Sequence, residues 1–89
     1  MKAIMTVTGI DHTGIIAAVA NGLADRGVNI TNVSQTLMDE YFTMIMQLEF
    51  DEATVSLNDV QEAMTPVEES QGLVIKVQEE ELFNAMHKL

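Results

Sequence analysis

The segment FTMIMQLEF, Phe42 to Phe50, restricts the fold more than any other part of this 89-residue chain. Phe42, Met44, Met46, Leu48 and Phe50 occupy alternate positions, with Thr43, Ile45, Gln47 and Glu49 between them. Strands turn successive side chains to opposite faces, so this pattern predicts a strand with one apolar face against a core. Val28 to Met38, VNITNVSQTLM, is rich in β-branched residues but alternates imperfectly, which predicts a strand with a twist or bulge near Asn32–Ser34. Only Asp39-Glu40-Tyr41 separates the two segments, and so short a connection demands a hairpin.

The other elements follow from the same periodicities. Lys2 to Thr8 alternates, with Ala3, Met5 and Val7 on one face, and reads as a first strand ending near Gly9. Ile15, Ile16, Val19 and Leu23 recur at helical spacing, and Gly27 supplies a left-handed stop. Ser56 with Asp59 resembles a capping box ahead of a second helix, whose buried stripe is Leu57, Val60, Met64 and Val67. Pro66 lacks a backbone donor, so that helix is expected to kink or restart near Thr65. After Gly72, LVIKV gives a last strand with Leu73, Ile75 and Val77 on one face. Leu82, Phe83, Met86 and Leu89 mark the apolar stripe of a short C-terminal helix.

This order predicts an α+β domain over residues 1–79: a ferredoxin-like βαββαβ sandwich whose four-stranded antiparallel sheet carries both helices on one face. Residues 80–89 form a helical extension expected to pack on the domain or on a partner subunit. A sheet covered on one face leaves its other face and an edge for a partner, and a core this small gains from self-assembly.

Composition narrows the function classes. Four Lys and Arg against fourteen Asp and Glu give a net charge of -10, which would repel a nucleic-acid backbone. The acidic excess concentrates after Phe50 and reads as a solvated face. The chain has no cysteine, which excludes a disulfide scaffold and a thiolate metal site and fits a reducing compartment, so a cytoplasmic protein is expected. The longest apolar run, Ile15 to Ala20, is far short of the ~20 residues of a membrane span, and no charged leader precedes an apolar stretch. Neither membrane insertion nor secretion is expected.

The candidate site lies in GIDHTGIIAAVANGLADRGVNI, Gly9 to Ile30. A helix start offers unpaired N–H groups and a partial positive charge, so the amides of Gly14, Ile15 and Ile16 suit a carboxylate. Asp11 suits an ammonium group, and Asn29, expected at the same end of the sheet, offers a donor and an acceptor. Together they match an α-amino acid. An aspartate or threonine here, Asp11 or Thr13, also fits an ordinary helix cap worth ~1 kcal/mol, and Gly14 fits close helix packing. Local chemistry leaves both readings open.

His12 beside Asp11 makes a poor start to a zinc site, which takes about four convergent donors. No metal or cofactor is expected. The sequence also lacks a nucleophile–base–orienter set, a phosphate-binding glycine loop and a pair of catalytic carboxylates, so an enzyme is not expected.

With Asp11, Gly14, Gly27, Asn29 and Ile30 in place, Gly9–Ile30 resembles the opening of an ACT domain: a strand, a loop with Asp or Asn, a helix-start Gly and a closing Gly-x-Asn-Ile. SQTLMDEYFTMIM and LFNAMHKL further resemble the short stand-alone ACT proteins of bacteria and archaea, so the similarity spans essentially the whole chain. The resemblance implies a regulatory module that binds an amino acid or similar small metabolite where two domains meet. It implies a homodimer acting on a metabolic enzyme or regulator, with Asp11, Gly14, Ile15 and Asn29 facing the ligand and His12 and Thr13 in the same loop. His12-Thr13 departs from the Arg-Pro or Lys-Pro of many members and leaves the loop less rigid. The alternative is a ligand-free interaction module on the same fold.

Overall fold

The computed structural model describes residues 1–81, so the C-terminal helix expected from Leu82 onward lies outside the described residues. The elements are β1 (Lys2–Ile10), α1 (Ile15–Ala24), β2 (Asn29–Met38), β3 (Tyr41–Glu49), α2 (Leu57–Gln71) and β4 (Leu73–Glu79). They form one four-stranded sheet in the order β2-β3-β1-β4, with every neighbouring pair antiparallel. This is the ferredoxin-like βαββαβ arrangement that the periodicities predict.

The alternation in β3 has the expected cause. Phe42, Met44, Met46 and Leu48 are buried with Ala3, Met5 and Val7 of β1 and Leu73 and Ile75 of β4. Val19 and Leu23 of α1 and Val60 and Met64 of α2 complete this core. Full burial of such a side chain is worth about 1.5–3 kcal/mol, so this shared face dominates the stability. The helices meet at Gly22, where an added Cβ would lie 2.7 Å from Met64 Cε and 3.5 Å from Val67 Cγ2. The missing side chain is what lets Met64 fill the gap between them.

The helix ends use the signals in the sequence. Gly27, at φ 74°, sits in a closure in which its N–H donates to the Ala24 carbonyl at 3.0 Å and the Val28 N–H to the Leu23 carbonyl at 3.0 Å. Those two bonds are the Schellman pattern, and buried Leu23 and Val28 supply its apolar contact. At α2, the Asp59 N–H donates to Ser56 Oγ at 3.1 Å and the Ser56 N–H to Asp59 Oδ2 at 2.9 Å. The Ser56 amide first, and then the Ser56 hydroxyl, hold the Asp59 carboxyl below its ordinary range.

Three details depart from expectation. Helix α2 runs unbroken through Pro66 instead of restarting near Thr65. Pro66 and Glu62, whose carbonyl loses its usual donor, are both exposed, so water can serve that oxygen. The irregularity in β2 falls earlier than Asn32–Ser34: the register shifts between Ile30 and Asn32, leaving Thr31 without a partner on β3. The hairpin turn is Asp39-Glu40, with Asp39 at φ 54°, a conformation that Asp tolerates better than most residues.

Met64→Ala removes the side chain that fills the Gly22 gap. It should lower stability by about 2–5 kcal/mol, read as a lower urea midpoint with an unchanged slope at fixed protein concentration.

Candidate ligand-binding site

The loop after β1 is tied down before the helix begins. The Asp11 N–H donates to the Glu40 carbonyl at 2.8 Å, extending the sheet pairing one step past Ile10. Gly14 then takes φ 96°, ψ -2°, and the helix follows at once, with the Ala18 N–H donating to the Gly14 carbonyl at 3.0 Å. No side chain caps α1, so neither Asp11 nor Thr13 acts as the ordinary cap that the local sequence also allowed. The first-turn N–H groups of Ile15, Ile16 and Ala17 therefore lie at the positive end of the helix without an intrahelical acceptor. Ile15, 2% exposed, anchors this end in the core, while Ile16 is half-exposed.

A cavity of about 620 Å³ opens beside this helix start. Asp11, His12, Thr13, Gly14 and Ile15 line one side of it, together with Ile16 and Ala17. Gln35, Thr36 and Leu37 of β2 and Phe42 of β3 line the other. The cavity exists because the helices cover β1, β3 and β4 and leave β2 exposed along nearly its whole length. Gln35 and Leu37 pair with Met44 and Phe42, so they lie on the helix-bearing face, next to the uncapped turn. Sequence reasoning missed these β2 residues. The signal for them was the poor alternation of VNITNVSQTLM, which marks a strand that no helix covers.

Asn29 is not among the lining residues, and its expected position at the same end of the sheet is corrected by the registers. Asn29 pairs with Glu49 and Glu49 with Lys2, whereas Met38 pairs with Tyr41 and Tyr41 with Ile10. Asn29 thus sits at the start of β1, and the loop sits at its end, roughly 30 Å apart along the strands at ~3.3 Å per residue. The reason is the crossover itself: α1 carries the chain back, and β2 runs parallel to β1 from the opposite end.

His12 links the loop to the far end of α2. Its Nε2 lies 2.9 Å from the Gln71 carbonyl and its Nδ1 3.1 Å from the Thr13 carbonyl. Two carbonyl acceptors require two ring N–H donors, so the imidazolium satisfies both contacts and neutral imidazole only one. The Gln71 carbonyl first, then that of Thr13, hold the His12 pKa above its ordinary value, with a smaller contribution from Asp11. Among the described residues, no three His, Cys, Asp or Glu side chains converge as metal ligands.

A folded-state pKa above the unfolded one means that the native state binds the proton more tightly. The His12 contribution is therefore complete below the unfolded value near 6.5 and is lost as pH rises through the higher folded value. Two-dimensional NMR should show the His12 ring titrating above that value, with the amides of Thr13 and Gly72 shifting in the same transition. His12→Asn should abolish the transition at both amides.

The ACT domain family model matches residues 2–78. A UPF0237 protein of Corynebacterium glutamicum is 61% identical over 89 residues, covering 100% of both chains. An ACT domain protein from Streptococcus pneumoniae superimposes with a TM-score of 0.80 at 37% identity, over 98% of each chain. The regulatory subunit of aspartate kinase from Thermus thermophilus matches with a TM-score of 0.70 at 26% identity, over 86% of this chain and 50% of that one. With the family model, the full-length relatives and the sheet order in agreement, this chain belongs to the ACT domain family.

Proposed function

We propose that this chain is a non-catalytic regulatory module that binds an amino acid in the cavity beside Gly14 and does so as a homodimer. The observation that carries the reading is the uncapped start of α1 facing an apolar-floored cavity. The ligand carboxylate takes the N–H groups of Ile15 and Ile16, and Gly14, with open space where a Cβ would stand, lets it approach. The Asp11 carboxylate takes the ammonium group. Ile16, Leu37 and Phe42 favour an apolar ligand side chain over a charged one.

The dimer follows from β2. This strand is an unpaired sheet edge with Val33, Leu37 and Met38 exposed, and edges of that kind recruit another strand. Two copies of β2 paired antiparallel about a two-fold axis, centred near Val33 and Ser34, would extend the sheet across the dimer. Asn29 of the partner subunit then falls beside Met38, at the mouth of the cavity. The residue that one chain keeps remote would be supplied by the other. A ligand held across that boundary would stabilise the pair, and by linkage a target that prefers the liganded pair would sense it.

Thermal unfolding of the purified protein against each of the twenty amino acids tests the reading. A ligand at about 100 times its Kd should add ~2.7 kcal/mol, and Asp11→Ala or Asn29→Ala should each remove the effect. Mixing the two variants should restore binding at one of the two shared cavities of each mixed dimer, or about a quarter of all sites at equal, random mixing. No shift with any amino acid, with both variants folded, would leave the ligand-free interaction module as the better reading. Restoration failing in a proven mixed dimer would place Asn29 outside the site.

A further inference from the structure

We infer that two side chains of α2, Gln61 and Glu68, close the β4 edge of the sheet to strand addition, so that self-assembly through β2 stops at the dimer. The bond from the Asp11 N–H to the Glu40 carbonyl sets the phase of the ladders. Hydrogen-bonded pairs alternate with non-bonded ones, so the registers carry that phase across the whole sheet. Val74, Lys76 and Gln78 turn their backbone groups toward β1, and Ile75 and Val77 turn theirs outward. On the opposite edge, Val33, Gln35 and Leu37 of β2 turn theirs outward.

At β4 those outward groups are already taken. The Gln61 carboxamide donates through Nε2 to the Ile75 carbonyl at 3.1 Å and accepts from the Val77 N–H through Oε1 at 3.1 Å. It stands where the peptide group of a further strand would stand. Glu68 Oε2 accepts from the Ile75 N–H at 2.8 Å. Gln61 and Glu68 lie about two helical turns apart, so α2 presents both along the strand it packs against, and each is half-buried. At β2, among the described residues, no other element caps the outward amides; the Val33 N–H takes Asn32 Oδ1 at 2.9 Å, from within the strand itself. Nor does Asn29–Met38 contain a charge or a proline, the residues that commonly keep an edge unpaired. With both edges open, β2 would pair with β2 and β4 with β4, and the sheet would grow without limit. With β4 closed, a two-fold pair is the end point. The limit at the dimer rests on the β2 pairing proposed above, but the closure of β4 does not.

Amide hydrogen exchange in the full-length wild-type protein, diluted until it is monomeric, tests the closure without any substitution. The Ile75 and Val77 N–H groups should exchange at least about tenfold more slowly than those of Gln35 and Leu37, and equal rates would overturn the inference. Sedimentation velocity tests the consequence. The wild type should stop at the dimer, whereas Gln61→Ala/Glu68→Ala should form larger species as concentration rises. A double variant that still unfolds cooperatively yet keeps the wild-type size at every concentration would also overturn it. A failure of the β2 pairing looks different. The wild type is then monomeric, and the double variant makes a dimer that Lys76→Cys cross-links and Ser34→Cys does not.

Discussion

The helices α1 and α2 bury one shared face of β1, β3 and β4, and the burial stops short of β2. Much else follows from that boundary. Inside it, alternation is strict and methionine and leucine fill the space; outside it, β2 carries Asn, Thr, Ser and Gln among a few exposed apolar residues. The boundary also leaves a gap between the start of α1 and the second half of β2, and this gap is the cavity. The cavity and the open edge of β2 thus share one origin in the geometry of helix cover.

The strands and helices were legible in the sequence wherever one face meets the core. FTMIMQLEF, the Ser56–Asp59 box and Gly27 each encode a local rule that the fold obeys. Pro66 misled because the cost of a missing donor depends on solvent, and its helix face is exposed. The bulge was displaced toward Thr31 because where a ladder slips depends on the partner strand, which no pattern within β2 records. The loop residues that line the cavity were legible as candidates because Asp11 to Ile15 are contiguous and a helix start has fixed chemistry.

Gln35, Thr36 and Leu37 were not legible because their role comes from what fails to cover them. Asn29 shows the same limit in another form. Its spacing after Gly27 is a local feature, but which end of the sheet it occupies is set by the direction of α1 and by pairing with Glu49. The assignment of Asn29 to a ligand therefore depends on a second chain, as no arrangement within one chain brings it to Gly14.

The bond from His12 to Gln71 joins residues 59 positions apart, and that of Asp11 to Glu40 spans much of the first half of the chain. Contacts so distant in sequence form only after intervening elements have docked, since the entropy of closing the loops must be met first. The loop at Gly14 is thus held by Glu40 and Gln71, both of which are synthesised well after it. A partly made chain, with β1 and α1 complete but α2 absent, would have the sequence of the site without its shape.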